Sequence, residues 1–312
     1  MRRSHSTAKF NMFLFALAAI LLFAGCGTTS APSQKDGEAT RRRSVADGLG
    51  RAVSITTDPK RVVSLAPNVT EILFALGLES RLVGVTSYCD FPEAAKLKEK
   101  VGDTLQPNLE KIISLRPDLV VVSTSSQLEN LTRRLDQLAI PVYVANPRTV
   151  REVAASIRSL GEVTGTSDRA AQIAGEMESR IAAVERRVSG LPRPRILYVL
   201  QTGPLITAGR NTFINDLINI AGGKSISGEE TADYPQFSRE TVVARAPEVI
   251  VAPSSHGAEF VKESDLRRDF ATTPAIRSNR IVWVTPELVD RPGPRIVDGL
   301  EQLARGLHPP GG

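Results

Sequence analysis

Glu110-Lys-Ile-Ile-Ser-Leu-Arg-Pro-Asp-Leu-Val-Val-Val122 has a second copy in the chain, Glu240-Thr-Val-Val-Ala-Arg-Ala-Pro-Glu-Val-Ile-Val-Ala252, at a constant offset of 130 residues. In each copy a residue suited to capping a helix, Asn108 or Ser238, stands two positions before the Glu. A short helical pattern follows, then a Pro, an acid and an apolar run that reads as a strand. The run does not alternate, as expected of a parallel strand covered on both faces. Arg61-Val-Val-Ser-Leu65 and Arg195-Ile-Leu-Tyr-Val199 match in the same way, as the opening strand of each copy. The repeat predicts two similar α/β lobes.

The flanking sequence extends this pattern. Strand signals at 82–86, 118–122 and 140–144 are separated by helical stretches at 69–76, 108–115, 128–138 and 150–163, which favours a doubly wound parallel sheet. Ser167 then offers a cap for a long helix to Val188, with Gly190 and Pro192 as its stop. Its apolar residues, Ala170, Ile173, Met177, Ile181, Val184 and Val188, recur at spacings of three and four. Such a helix is ~33 Å long, enough to span a small domain. The expected fold is α/β: two Rossmann-like lobes with mainly parallel sheets, residues 44–165 and 191–312, joined by one long backbone helix at 166–190. Facing lobes of this class leave a cleft beyond the carboxyl ends of their strands.

The 312 residues carry 39 Lys and Arg, 34 Asp and Glu, three His and two Cys. The resulting pI near 9.4 invites a nucleic-acid reading, but the position of the charge argues against it. Arg2, Arg3 and Lys9 precede an apolar run from Phe13 to Phe23, and no acid occurs in residues 1–25. This is the pattern of a secretory signal, and the run is too short to span a membrane comfortably. It closes on Phe23-Ala24-Gly25-Cys26, which resembles a bacterial lipobox in which Cys26 is lipidated and becomes the first residue. Removing residues 1–25 leaves 36 bases against 34 acids, too even a balance for an electrostatic nucleic-acid footprint. Residues 26–43 show no apolar period and end in Arg41-Arg42-Arg43; they read as a flexible tether between lipid and folded body. With Cys26 taken by lipid, Cys89 has no partner and reads as a small packed residue. Trp283, in mid-strand, reads as core.

Catalytic motifs are absent or broken. Ala221-Gly-Gly-Lys-Ser225 ends like a phosphate-binding loop, but Ile218 stands where that loop needs its first glycine, so Gly222-Gly223 reads as a helix end and turn. There is no glycine-framed nucleophilic Ser and no dinucleotide fingerprint. Only His256 and His308 remain after the signal, which weighs against a zinc-type site and against a receptor for bare metal ions.

Three stretches carry a family resemblance: Arg61-Val-Val-Ser-Leu-Ala-Pro-Asn-Val-Thr-Glu-Ile-Leu-Phe-Ala-Leu-Gly77, Gly84-Val-Thr-Ser-Tyr-Cys-Asp-Phe-Pro-Glu-Ala94 and Arg291-Pro-Gly-Pro-Arg-Ile-Val-Asp-Gly-Leu-Glu301. With Pro107-Asn-Leu-Glu-Lys-Ile112, they resemble the helical-backbone (class III) periplasmic binding proteins of ABC importers. The likeness covers about residues 44–308 and is strongest to the cobalamin-binding branch, with the iron–siderophore branch next. It implies an exported, lipid-anchored, monomeric receptor that is no enzyme and needs no cofactor of its own. Its partners would be a permease dimer with its ATPase subunits, and its cargo cobalamin or a related corrinoid. In such proteins a Glu on each lobe docks onto Arg residues of the permease; the matching positions are Glu110 and Glu240. The resemblance further assigns Tyr88, Tyr234, Glu287 and Arg291 to the ligand; the sequence also offers Asp290 or Asp298 as ion-pair partners for Arg291 instead. Several aromatic positions of cobalamin receptors read here as Thr104, Ser123, Thr202 and Ile206, which keeps a ferric siderophore or heme as alternative cargo. An exported α/β enzyme with an unrecognised site is the reading from another class.

Overall fold

The computed structural model describes residues 41–123, 128–254 and 261–309. The expected signal segment, Cys26, most of the tether and His256 lie outside them. The described residues open on a hairpin, β1 (Arg42–Ala46) and β2 (Ala52–Thr56), paired antiparallel. Arg42 and Arg43 therefore belong to a strand rather than to the tether that the sequence suggested. In β1 side chains alternate between exposed and half-buried, the period-2 pattern of a strand with one covered face. Its turn is tight: the Asp47 carboxylate accepts from the backbone N–H of Leu49 and Arg51, and the Gly48 N–H donates to the Val144 carbonyl at 2.7 Å.

The first lobe follows as β3 (Val62–Ser64), α1 (Pro67–Ala75), β4 (Leu82–Val85), α2 (Leu109–Ser114), β5 (Leu119–Ser123), α3 (Leu128–Gln137), β6 (Val142–Ala145) and α4 (Val150–Thr164). Its strands are parallel in the order β4-β3-β5-β6. Then comes α5 (Ser167–Val188). The second lobe runs β7 (Arg195–Tyr198), a small hairpin β8 (Gln201–Thr202) and β9 (Leu205–Ile206), α6 (Phe213–Ile220), β10 (Lys224–Ser225), α7 (Arg239–Arg245), β11 (Val249–Pro253), α8 (Glu263–Asp269), α9 (Pro274–Arg277), β12 (Ile281–Val284), α10 (Pro286–Val289) and α11 (Ile296–Leu307). Its main sheet is also parallel, in the equivalent order β10-β7-β11-β12.

The duplication extends to single hydrogen bonds. Asn108 and Ser238 cap α2 and α7 by accepting from the N–H of Lys111 (2.9 Å) and Thr241 (3.1 Å). Beyond each helix the residue before the Pro, Arg116 or Ala246, is left-handed, with φ 45° and 46°. A following Pro disfavours the right-handed helical region at that position, so the helix must end there. The acids after the prolines accept from the start of the first strand: Asp118 from the N–H of Arg61, Glu248 from that of Arg195. Both arginines in return donate to the helix end, Arg61 to the carbonyls of Leu115 and Arg116, Arg195 to that of Ala246.

All six apolar positions predicted for the long helix are buried. Its N-cap is Thr166, with no side-chain cap bond, and Ser167 is the first helical residue rather than the cap. The helix packs most extensively on α4, with which it forms an antiparallel pair, and also on α6 and α11. The pair is close because Gly161 lacks a side chain: a Cβ there would collide with Ala170. One continuous apolar core joins residues of both lobes through this pair, while two smaller clusters fill the outer faces of the two sheets. Arg180 of α5 binds Asp298 (2.6 Å) and Glu301 (2.8 Å) of α11, so the spine is fastened to the last helix by charge as well. Trp283 is half-buried against the second lobe's outer cluster.

Candidate functional site

The carboxyl ends of the strands and the helix starts beyond them enclose a cleft of about 800 Å3 between the lobes. The first lobe contributes Asn68 from the start of α1, Thr104, Ser123 at the end of β5, and Asn146 and Arg148 after β6. The second contributes Thr212 and Phe213 at the start of α6, then Asp233, Tyr234, Asp290 and Arg291 from two loops. These placements follow from the topology, since a parallel α/β sheet brings all its strand-to-helix turns to one edge.

Ion pairs bridge the lobes on either side of this cleft. Arg291 reaches Asp90 at 2.6 Å and Glu71 at 3.5 Å. Arg295 grips the same Glu71 through two nitrogens, at 2.7 and 2.9 Å, while stacking on the Phe91 ring at 3.7 Å. Glu71 is 3% exposed, and these two guanidinium groups are its ion-pair partners. A second bridge joins Arg148 to Asp233 at 2.6 Å. Nearby, the Val150 N–H at the start of α4 donates to Asp216 of α6 at 2.7 Å. Asn68 completes the set, donating to the Ser123 hydroxyl and the Pro292 carbonyl, both at 3.4 Å.

Asp290 is the cleft acid without an ion pair among the described residues. Its carboxylate accepts from the hydroxyl of the fully buried Tyr198 at 2.7 Å. Burial pushes its pKa up to about 6, even though the Tyr198 bond opposes the shift. Asp90 is moved the other way, its carboxyl held low chiefly by the hydrogen bond from Arg291. The phenol of Tyr234 is raised by burial, then by the negative charges of Asp233 and Asp290.

Of the ligand residues expected from sequence, Tyr234 and Arg291 line the cleft. Tyr88 is 59% exposed on the loop after β4, and Glu287 lies in the first turn of α10; neither is among the lining residues. Arg291 pairs with neither Asp290 nor Asp298, because Asp298 is engaged by Arg180 and Asp290 by Tyr198. The two substituted aromatic positions Thr104 and Ser123 line the cleft, whereas Thr202 and Ile206 do not. Sequence reasoning missed Asn68, Asn146, Arg148, Phe213, Asp233 and Asp290. Asn68, Asn146, Arg148 and Phe213 sit where strands end or helices begin, an address the sequence did offer, whereas Asp233 and Asp290 lie in a loop and at the end of α10 and carried no such signal. Glu110 and Glu240 stand exposed in the first turns of α2 and α7, at equivalent positions of the two lobes. Cys89 is buried beside the hydroxyls of Thr70 and Thr86.

Comparison with known proteins decides the family. The sequence pattern of the periplasmic binding protein family matches residues 62–288, from β3 to α10. The chain belongs to that family. YvrC, an ABC transporter substrate-binding lipoprotein of Bacillus subtilis, is 33% identical over 305 residues, covering 94% of this chain and 95% of its own. The crystal structure of the periplasmic vitamin B12 binding protein BtuF of Vibrio cholerae superposes with a TM-score of 0.71 at 27% identity, covering 80% of this chain and 96% of its own. The periplasmic heme-binding protein RhuT of Roseiflexus sp. RS-1 superposes with a TM-score of 0.72 at 28% identity, covering 80% and 98%. This binding protein is thus an exported substrate-binding component of an ABC importer, not an enzyme, and the predicted α/β class with two parallel-sheet lobes holds.

Proposed function

We propose that this binding protein captures cobalamin or a related corrinoid in the inter-lobe cleft and hands it to a permease dimer docked on Glu110 and Glu240. The observation that carries the reading is the charge of the cleft. Its arginines, Arg148 and Arg291, are committed to carboxylates of the opposite lobe, and the remaining polar lining is amide, hydroxyl and the Asp290 carboxyl. A corrinoid carries carboxamides around its rim, which donate to such acceptors, and a broad face that suits the rings of Tyr234 and Phe213. An anionic chelate would instead seek cations not already paired. The likeness to a vitamin B12 binding protein supports the same cargo.

Heme is the second reading. Tyr234 supplies a phenol of the kind that ligates heme iron, and RhuT is as similar in fold as BtuF. Gel filtration of the protein with cyanocobalamin, hemin or a ferric siderophore separates these cases. Cyanocobalamin should travel with the protein, and retention of hemin alone would reverse the assignment. Anchoring through Cys26 is part of the proposal: Cys26→Ser should release the protein from membranes, and a variant that stays bound would remove the anchor.

A further inference from the structure

The two copies of the repeat agree in a feature that the fold itself does not require. In α2 and α7 the inward residues, Ile112 and Val242, are fully buried and supply the contact with the lobe. The next residue points outward in both helices and is a β-branched aliphatic in both: Ile113 is 36% exposed and Val243 38% exposed. Each stands three positions after Glu110 or Glu240, hence beside it on the helix surface. Single exposed aliphatics are ordinary on a protein surface. Here the same pairing of acid and aliphatic recurs at the offset of 130, on equivalent helices of two lobes with the same strand order. Neither acid makes an ion pair among the described residues. Glu240 is held ionised by its own backbone N–H and by the Ser238 hydroxyl.

We infer that the docking face consists of two acid–aliphatic pairs, Glu110 with Ile113 and Glu240 with Val243. Each pair seats on one of two equivalent patches of a two-fold permease, where a basic group lies beside an apolar surface. The inference rests on the docking role proposed for the two acids and adds the contact they lack. Exposed carboxylates steer a basic partner and set orientation, but salt screens them. A small apolar contact at the centre of each patch excludes water and slows release.

The test uses the full chain and its cognate permease–ATPase complex in lipid nanodiscs. The readout is the concentration of loaded protein that half-maximally stimulates ATP hydrolysis. Ile113→Ser and Val243→Ser should each raise it about tenfold and together about a hundredfold, as expected for removing two or so methyl groups from a buried contact. Melting temperature and ligand binding should be unchanged, and the loss should persist at about 0.5 M salt. The exchange Ile113→Val with Val243→Ile should restore docking. Glu110→Lys with Glu240→Lys is run in parallel. If that variant fails to dock while the serine pair docks like wild type, the aliphatic contribution is overturned and the acids stand. If the charge-reversed variant docks like wild type, the docking reading falls and this inference falls with it.

Discussion

Asp290 and Arg291 are neighbours in sequence with opposite fates. Asp290 turns toward the buried Tyr198 hydroxyl, while Arg291 crosses to Asp90, 201 positions away. No spacing rule reaches that far: the sequence offered only the nearby Asp290 and Asp298 as alternative partners for Arg291, and the structure pairs it with Asp90 and Glu71. The raised pKa of Asp290 gives a stability signature. Near pH 5 the folded protein holds a proton on this group that the unfolded chain has released. Stability from this site therefore falls as pH rises from about 4 to past 6, by up to roughly 3 kcal/mol. Asp290→Asn keeps an acceptor for Tyr198 without the buried charge. It should raise the unfolding free energy at pH 7 by about 1–3 kcal/mol and leave it nearly unchanged at pH 4, in denaturant titrations at both values. Equal destabilisation at the two pH values would show that the carboxylate is not strained by burial. Asp216, also raised by burial, contributes in the same direction in both proteins, so the difference between variant and wild type isolates Asp290.

At the scale of elements, what was legible was whatever is decided within about ten residues. The helices α2 and α7 announce themselves through cap, apolar position and Pro, and the structure returns all three. The strands β8, β9 and β10 have two residues each, too few to show a period, and only tertiary pairing creates them. The hairpin β1–β2 was hidden at its start by Arg41-Arg42-Arg43, which suggested a solvated tether, although Asp47-Gly48 between the strands is a turn signal. Because α2 and α7 have six and seven residues, each leans on its cap. Asn108→Ala and Ser238→Ala should each cost about 1 kcal/mol in equilibrium unfolding, and the costs should add, since the caps sit in separate lobes. Gly161 carries more: Gly161→Val forces α4 away from Ala170 and should destabilise by at least about 1–3 kcal/mol in the same assay.

For the whole molecule, the duplicated lobes and the spine were readable because repetition is a property of sequence. The bridges across the cleft were not, because each joins residues that become neighbours only after both lobes have folded. Those bridges make closure ionic on both sides of the cleft, whereas the α4–α5 pair that holds the lobes together is apolar. Removing one partner on each side, with Asp90→Ala and Arg148→Ala, should raise hydrogen exchange in the cleft loops and speed ligand release several-fold. The melting temperature should move little, because these pairs are partly exposed. Unchanged exchange would mean that the Asp90–Arg291 and Arg148–Asp233 bridges do not hold the lobes together and would leave that role to Glu71 with Arg295. The duplication itself bears on how many copies bind. A single chain that carries two copies of one surface can offer one copy to each half of a two-fold partner. If the two acids dock as proposed on a two-fold permease, one binding protein would fill both equivalent positions, and turning it through half a revolution would regenerate the same complex. Titration should saturate at one binding protein per permease pair, with a statistical factor of two favouring association. The two identical permease subunits then cease to be equivalent, one facing the lobe with Thr104 at the cleft and the other the lobe with Tyr234.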